Sequence, residues 1–325
     1  MRIYLKSADK ILSLTLHNIL FKEVLFMINH LKSCQLCHRY CKVDRLKGNT
    51  GFCHAGKDVK IAKVCLHTWE EPCISGNKGS GTIFFSNCNF RCAFCQNYKI
   101  SANGLGKEIS IEGLSKIFLF QQSQGAHNIN LVTPTHYIPQ IIKALDIAKS
   151  QGLNLPVLFN TNSYETIHAL KSLKGYIDVY LPDLKYFSNK YSIKYSGVSD
   201  YFIHATKAIE EMFNQVGSVK FDENGLIIKG VIIRHLMLPG LLFDSKKIID
   251  YIYNTFGDSV YISIMNQYTP LYKAYKFPEI NKPLNPKHYD SFINYCLSLG
   301  IKNAFIQSTG TCSKNFVPDF DLEGI

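Results

Sequence analysis

The sequence lacks the features by which membrane proteins and nucleic-acid-binding proteins are usually recognised. No stretch reaches about 18 uninterrupted apolar residues, so no transmembrane helix is expected. The net charge is +11, but no run of five or more Lys and Arg residues occurs, which argues against nucleic acid as the main partner. With 46% hydrophobic and 19% charged residues, the chain has the composition of an ordinary globular protein.

The N-terminal segment has only part of a signal peptide. Basic residues precede the apolar segment 11–21, as they precede the apolar core of a secretory signal. However, no small-x-small cleavage site follows, and Lys22-Glu23 is succeeded by a second apolar run. We therefore expect an amphipathic helix, or an extension translated upstream of a true start at Met27.

Cysteine is the most unevenly distributed residue. The chain has 11 cysteines, and nine of them are crowded between Cys34 and Cys95. Such close spacings in an intracellular enzyme favour metal binding over a disulfide framework. Cys65 and Cys73 lie outside the two closely spaced groups and are expected to be ordinary buried thiols.

One group follows the apolar run 82–85, which predicts a short buried strand. Cys88, Cys92 and Cys95 have the spacing C-x3-C-x2-C within CNFRCAFC. Three thiolates in one short loop cannot supply the fourth ligand that a structural zinc requires. They suit a 4Fe–4S cluster with three irons held by protein and one iron open to a further ligand.

The other group can supply a complete set of ligands. Its members are Cys34, Cys37, Cys41 and Cys53. Four cysteines close a tetrahedral zinc site or hold a whole 4Fe–4S cluster, and the spacing does not decide between the two metals. His38 and His54 lie beside them and could replace one thiolate. Gly48 and Gly51 would let the chain turn back so that Cys53 reaches the others.

The group of Cys88, Cys92 and Cys95 resembles the signature of a known family. C-x3-C-x-aromatic-C, with Phe94 as the aromatic residue, is similar to the motif of the radical S-adenosylmethionine (radical SAM) superfamily. The wider stretch 79–97, GSGTIFFSNCNFRCAFCQN, resembles the pyruvate formate-lyase activating enzymes. The resemblance implies that the open iron binds the amino and carboxylate groups of SAM. One electron would then cleave SAM to methionine and a 5′-deoxyadenosyl radical.

From residue 79 onward the pattern alternates between strands and helices. Apolar strands are predicted at 82–86, 129–133, 155–160, 176–182, 227–236 and 259–265, with helices over 138–151 and 285–300 among those between and after them. Repeated strand–helix units predict an α/β fold with parallel strands and outer helices. By resemblance this is the partial (β/α)6 TIM-like barrel of radical SAM enzymes, preceded by a Cys-rich metal-binding module. The expected divisions are 1–33, an N-terminal extension; 34–78, the Cys-rich module and connector; and 79–325, the barrel with a C-terminal extension.

Polar residues follow most of the predicted strands. The strands end in Thr133-Pro134-Thr135, Asn160-Thr161-Asn162, Asp183-Leu184-Lys185, Arg234-His235 and Asn266-Gln267. In (β/α) barrels the carboxyl ends of the strands form the active-site face. The cysteine loop follows the first of these strands, so the cluster is expected at the same face.

The resemblance also implies roles for these residues. Asp183-Leu184-Lys185 is similar to the Asp-x-Lys that contacts SAM in the activating enzymes. Lys185 would pair with the SAM carboxylate, and Asp183 would bind a cation or hold Lys185 in place. Most relatives carry Gly-Gly-Glu after the second strand, whereas this chain has LVTPTHY at 131–137.

Several further site residues are predicted, with less specific motifs. Thr133 and Thr135 are candidate acceptors for the SAM amino group, and Asn160 and Asn162 are candidates to hydrogen-bond the adenosyl ribose. Arg234 is a candidate to bind a carboxylate or a substrate anion, and Gln267 is a candidate to contact SAM. His136 is a candidate proton donor.

Together these features predict a cytoplasmic radical SAM oxidoreductase, because a low-potential cluster needs a reducing compartment. The most specific activity that these features predict is activation of a glycyl radical enzyme, which would be the protein substrate. The alternative is radical modification of another protein or of a small molecule, using the second metal site. A flavodoxin- or ferredoxin-type protein would supply the electron.

Overall fold

The computed structural model describes residues 29–307 and 319–325. The expected amphipathic helix before residue 29, the start at Met27 and Cys312 lie outside these residues. Within them, no helix is both long enough and apolar enough to cross a bilayer.

One mixed sheet organises the part of the chain that the structure describes. Its strands are β1 (Val59–His67), β2 (Ser80–Phe85), β3 (Lys107–Ile109), β4 (Ile129–Val132), β5 (Val157–Thr161), β6 (Val179–Pro182), β7 (Lys220–Phe221), β8 (Ile227–Leu236), β9 (Tyr261–Met265) and β10 (Ala304–Ile306). Their order is β10-β9-β8-β6-β5-β4-β2-β1-β3, with β7 paired to β8. The pairs from β2 through to β10 along this order are parallel, and β1, β3 and β7 pair antiparallel.

Helices connect the parallel strands. They are α1 (Pro72–Ser75), α2 (Tyr98–Ser101), α3 (Ile111–Ser123), α4 (Ile138–Ser150), α5 (Ile167–Ser172), α6 (Asn189–Ser196), α7 (Tyr201–Val216), α8 (Leu242–Phe256) and α9 (Pro286–Ser298). The sheet begins at β10 and ends at β3, so the barrel is partial. The predicted α/β class with a partial barrel is therefore confirmed, and β10 adds a parallel strand that the sequence pattern did not predict.

Local sequence explains why the two predicted helices form where they do. In α4, Pro139 lies in the first turn, and Ile141 and Leu145 join the same core cluster as the strand residues. At the start of α9, the Asn285 side chain accepts a hydrogen bond from the amide of Lys287. β4 and β6 are buried along their whole length, as expected for parallel strands covered on both faces.

The segment expected to be a connector contributes to the sheet. β1 pairs antiparallel with β2, so a domain boundary at residue 79 would fall between two adjacent strands. The C-terminal residues also contact β1: Lys63 forms ion pairs of 2.9 Å with Asp321 and Glu323, and the Val64 amide donates to the Glu323 carbonyl. The Cys-rich module and the barrel thus share one sheet. Their division at residue 79 stays a prediction.

Candidate active site

A cavity of about 250 Å³ lies at the carboxyl ends of the parallel strands. The predicted site residues that line it are Cys88, Cys92, Phe94, Cys95, Thr133, Asn160, Asn162, Asp183, Lys185, Arg234 and Gln267. They come from the ends of β2, β4, β5, β6, β8 and β9, or from the loops that follow those strands. The structure therefore brings together residues that are spread over 180 positions of the sequence, and of the residues predicted to hold the three-cysteine cluster or SAM only Thr135 is missing from the lining.

The three-cysteine site, Cys88, Cys92 and Cys95, follows β2 directly. The turn begins at Asn87, which has φ +75, a left-handed conformation that is uncommon for residues other than glycine. All three thiols are free. Burial raises the pKa of Cys88 to about 12 and that of Cys92 to about 11. Without a metal these groups would be neutral thiols near pH 7, so binding a metal must displace their protons.

Each sulfur has a polar neighbour that suits a bound thiolate. The Ser196 hydroxyl donates to Cys92 Sγ at 3.0 Å. The Ser101 hydroxyl lies 3.2 Å from Cys95 Sγ, and the Asn162 amide donates to Cys88 Sγ at 3.7 Å. Hydrogen bonds to the sulfurs are one means by which proteins tune iron–sulfur clusters.

The number of thiols fits a cluster better than a zinc ion, because three cysteines leave a tetrahedral zinc ion one ligand short. A cluster spreads its ligands more widely, because each thiolate binds a different iron. The donor set of the three-cysteine site therefore fits a 4Fe–4S cluster with one open iron.

Asp183 and Lys185 form an ion pair in the cavity wall. The Lys185 ammonium donates to Asp183 Oδ2. Burial would lower the pKa of Lys185, but Asp183 and the nearby Cys92 raise it above its ordinary value. The backbone here is fixed by Tyr201, whose hydroxyl accepts from the Lys185 amide at 3.0 Å and donates to the Asp183 carbonyl at 2.8 Å. Lys185 is thus a positioned cation beside the three-cysteine site.

Arg234 has an anionic partner within the chain. Its Nε donates to Glu71 Oε1 at 3.0 Å, and its Nη2 donates to both Glu70 and Glu71. Burial would lower the pKa of Arg234, but the two glutamates raise it above its ordinary value. The expected role of Arg234 as a ligand for a substrate anion is corrected by this contact, because the guanidinium is already neutralised. The sequence signal for the partner was the acidic pair Glu70-Glu71 just before Pro72.

Thr135 and His136 point away from the cavity. After β4 the chain turns into a short 3-10 helix, and the buried Thr135 hydroxyl donates to Glu165. The expected contact between Thr135 and SAM is therefore corrected. His136 Nε2 lies 2.8 Å from the Ser86 carbonyl, and burial lowers the pKa of His136 to about 3. A neutral, buried imidazole outside the cavity is unsuited to the proton-donor role considered for it.

Thr133 keeps its place in the cavity, with an unusual backbone. Its φ is +60, which is a genuine outlier for a β-branched residue. Its amide donates to the Asn160 carbonyl at 2.9 Å, which ties the ends of β4 and β5 together. Strained backbone of this kind concentrates at functional sites, where the surrounding structure maintains it.

The four-cysteine site, Cys34, Cys37, Cys41 and Cys53, surrounds a small cavity of its own. Gly51 is required there, because a Cβ atom on it would lie 2.7 Å from Cys41 Sγ. Gly48 ends a short helical turn with φ +82, so the predicted turn at Gly48 is present. His38 and His54 do not line this cavity; His38 stacks on His204 with ring centroids 3.7 Å apart.

Two residues that the structure places at or between the two cysteine sites were not predicted from the sequence. Asn89 and Glu165 are both buried, and each lies next to a predicted ligand in space. Asn89 stands inside the CNFRC motif, so its position was visible although its contacts were not. Glu165, whose pKa is raised by burial, accepts hydrogen bonds from Thr135 and Thr161 and has no sequence signal.

Comparison with known proteins agrees with this site. Residues 82–252 match the family model described as the Radical SAM superfamily. The chain is 34% identical over 279 residues to an uncharacterized protein of Methanocaldococcus jannaschii, which covers 82% of this chain and 75% of that protein.

Solved structures with similar folds were also found. SuiB of Streptococcus suis, bound to its precursor peptide SuiA, is 16% identical and gives a TM-score of 0.49 over 69% of this chain and 47% of SuiB. HydG of Carboxydothermus hydrogenoformans, the FeFe-hydrogenase maturase, is 16% identical with a TM-score of 0.48, over 67% of this chain and 50% of HydG. The chain thus spans about half the length of these two proteins.

The buried charges around Arg234 make a prediction about pH. Burial would raise the pKa of Glu71, but Arg234 holds it below the ordinary 4.5. This contribution to stability is present above pH 4.5 and is lost as the pH falls through the lowered pKa. Arg234→Gln should lower the free energy of unfolding by about 3–5 kcal/mol at pH 7, because it leaves buried carboxylates unpaired. The variant should regain stability relative to wild type on acidification, as Glu71 takes up a proton.

Urea denaturation of both proteins between pH 4 and pH 8 measures this effect. Lys194→Gln is the matched control, because its pair with Glu279 is about 40% exposed on both sides and should contribute less than about 1 kcal/mol. A loss in Arg234→Gln that is the same at every pH would contradict the assignment of the effect to Glu71.

Proposed function

The chain belongs to the radical SAM superfamily, and on that premise we propose that it cleaves SAM by one-electron reduction and uses the product radical to abstract hydrogen from a substrate. One observation carries the proposal: Cys88, Cys92 and Cys95 meet the Asp183–Lys185 pair in one cavity. Thiolates for a cluster and a cation for the SAM carboxylate are the two things that this chemistry needs side by side.

The three-cysteine site would hold a 4Fe–4S cluster and leave one iron for SAM. When bound, the cluster supplies one electron to SAM, which divides into methionine and a 5′-deoxyadenosyl radical. Ser196 and Asn162 stabilise the thiolate form of the ligands by donating hydrogen bonds to Cys92 and Cys88. The ring of Phe94 lies 5.8 Å from that of Tyr268, and both rings line the cavity and help to exclude water from it.

The remaining cavity residues suit the other parts of SAM. Lys185 would pair with its carboxylate, with Asp183 fixing the direction of the ammonium group. Asn162 Oδ1 is buried and has no hydrogen-bond donor among the described residues, so it is available to a ribose hydroxyl. Thr133 and Asn160 line the same wall and can contact the amino group and the ribose.

We propose a protein substrate for the radical, and specifically a glycine of a glycyl radical enzyme. The support is the resemblance of stretch 79–97 and of Asp183-Leu184-Lys185 to the activating enzymes. The alternative is radical modification of another protein or of a small molecule. A flavodoxin- or ferredoxin-type protein in the cytoplasm would deliver the electron, since the cluster needs a reducing compartment. The four-cysteine site would hold a second metal centre, zinc or iron–sulfur.

The first test concerns the cluster ligands. Replacing Cys88, Cys92 and Cys95 together by Ala should abolish formation of 5′-deoxyadenosine from SAM in anaerobic protein reduced with dithionite. The physical reason is that no thiolate remains in the cavity to hold the reducing centre. Replacing Cys296, a buried thiol of α9, by Ala is the control and should leave the reaction intact. SAM cleavage by the triple variant at the wild-type rate would sink the proposal.

The second test concerns Lys185. Lys185→Ala should raise the dissociation constant for SAM about tenfold or more, because a charge-assisted hydrogen bond in a desolvated site contributes about 1.5–3 kcal/mol. The free energy of unfolding should fall by less than the about 3–5 kcal/mol of a fully buried pair, since both side chains of this pair are 20% exposed and water can reach Asp183 when Lys185 is removed. Isothermal titration measures the first quantity and urea denaturation the second, with Lys194→Ala as the exposed control. Equal SAM affinity in mutant and wild type would give the pair a structural role only.

The third test concerns the substrate. A glycyl radical enzyme from the same cell, labelled with deuterium at its glycine Cα positions, should transfer deuterium into 5′-deoxyadenosine. The same sample should show the electron paramagnetic resonance (EPR) signal of a glycyl radical. Formation of 5′-deoxyadenosine without deuterium in it would favour the alternative substrate class and leave SAM cleavage itself intact.

A further inference from the structure

The four-cysteine site is built as a closed and desolvated centre. Its thiols are free and face one cavity of about 10 Å³, which Leu36, Val43 and Ala55 line as well. Cys34 and Cys53 are buried, and Cys37 and Cys41 are partly exposed. Thiols bind a metal as thiolates, so a cation that binds this site displaces their protons.

Arginines around this site have no carboxylate partner in the part of the chain that the structure describes. Arg39 and Arg45 line the cavity, and Arg91 stacks on the same Phe52 ring as Arg39, with guanidinium-to-ring distances of 4.5 and 3.7 Å. Arg45 is 1% exposed, yet it donates only to the carbonyls of Gly56 and His136.

None of the three forms an ion pair with a carboxylate within residues 29–307 and 319–325. Arg45 is buried and Arg39 and Arg91 are partly exposed, and an unpaired charge as buried as that of Arg45 is costly, so an anion is expected near it. A metal-bound set of thiolates is that anion. Four thiolates around zinc or around an oxidised 4Fe–4S core leave two negative charges in excess, and reduction of a cluster adds a third. Three guanidinium charges match the reduced cluster, which favours iron–sulfur over zinc.

One residue connects the two cysteine sites. Asn89 directly follows Cys88 in the chain, lines the four-cysteine cavity and is 1% exposed. Its Nδ2 is buried without a hydrogen-bond partner among the described residues, and its backbone carbonyl accepts from Arg39 Nε at 3.0 Å. Its Oδ1 accepts from Asn162 Nδ2 at 2.6 Å, and the same Nδ2 reaches Cys88 Sγ.

Asn89 therefore connects the two sites, because it is covalently joined to Cys88 and lies in the wall of the four-cysteine cavity. A purely structural metal would have no use for such a path, whereas electron transfer between two clusters would.

We propose that the four-cysteine site holds a redox-active 4Fe–4S cluster, balanced in charge by Arg39, Arg45 and Arg91, which passes electrons through Asn89 to the three-cysteine site. The inference rests on the proposed function, since SAM is the final acceptor. A small one-electron donor protein of the flavodoxin or ferredoxin class is oxidised by one electron. That electron would reduce the cluster held by Cys34, Cys37, Cys41 and Cys53, then the cluster held by Cys88, Cys92 and Cys95, and would finally be taken up by SAM as one carbon–sulfur bond breaks.

Metal content is the first measurement. Anaerobically reconstituted wild-type protein should contain about eight irons and no zinc, and the Cys88/Cys92/Cys95→Ala variant about four irons. About four irons and one zinc in the wild type would overturn the inference and leave the proposed SAM cleavage intact. Failure of the wild type to cleave SAM with dithionite would instead overturn the proposed function, whatever the metal content.

The midpoint potential tests the charge balance. In the Cys88/Cys92/Cys95→Ala background, Arg39→Gln should lower the potential of the remaining cluster, because removing a nearby positive charge disfavours the reduced state. Lys42→Gln removes the same charge from an exposed position of the same segment and should leave the potential unchanged. Equal potentials in Arg39→Gln and its parent would contradict the role given to the arginines.

Freeze-quench EPR tests the path through Asn89. Asn89→Ala should keep about eight irons but slow the arrival of electrons at the three-cysteine cluster at least about tenfold, measured with a flavodoxin-type donor. The change that SAM causes in the spectrum of that cluster should persist, which separates lost transfer from a damaged SAM site. Asn77→Ala, an exposed asparagine bonded to His127, is the control. An unchanged rate in Asn89→Ala would overturn the proposed path.

Discussion

The balance of charges taken out of water is the constraint on which this structure depends. Every desolvated cation must find an anion, because the cost of an unpaired buried charge exceeds what local packing returns. Arg234 meets Glu70 and Glu71 inside the barrel, and Lys185 meets Asp183 at its mouth. These pairs leave the cavity wall with defined positive and negative positions, on which recognition of a zwitterionic cosubstrate can be built.

Much of the fold could be predicted from the sequence, because its signals are local. The apolar runs at 129–133 and 227–236 became β4 and β8 almost without change, since buried parallel strands have few alternatives to continuous apolar sequence. The short strand β10 could not be predicted, because only its pairing with β9 stabilises it as a strand. Its three residues carry no periodic pattern of their own.

The candidate site, like the fold, could be predicted from the sequence only in part. Cysteine spacing and polar residues at strand ends were enough to gather most of the cavity lining. The sequence could not tell that Thr135 turns to Glu165, or that Arg234 is neutralised by residues more than 160 positions away. Contacts of that kind depend on the register of the sheet and on turns such as that at Thr133, neither of which leaves a local sequence signal.

The pairing of β1 with β2 has a consequence for how the Cys-rich segment is retained. β2 is apolar and buried along its length, and β1 satisfies its backbone on one side. A shortened chain that began at residue 79 would expose that side as a naked sheet edge beside the cysteine loop. Such edges recruit strands from other molecules and lead to aggregation. Through β1 the N-terminal segment therefore protects this edge from self-association, whether or not the four-cysteine site holds a metal.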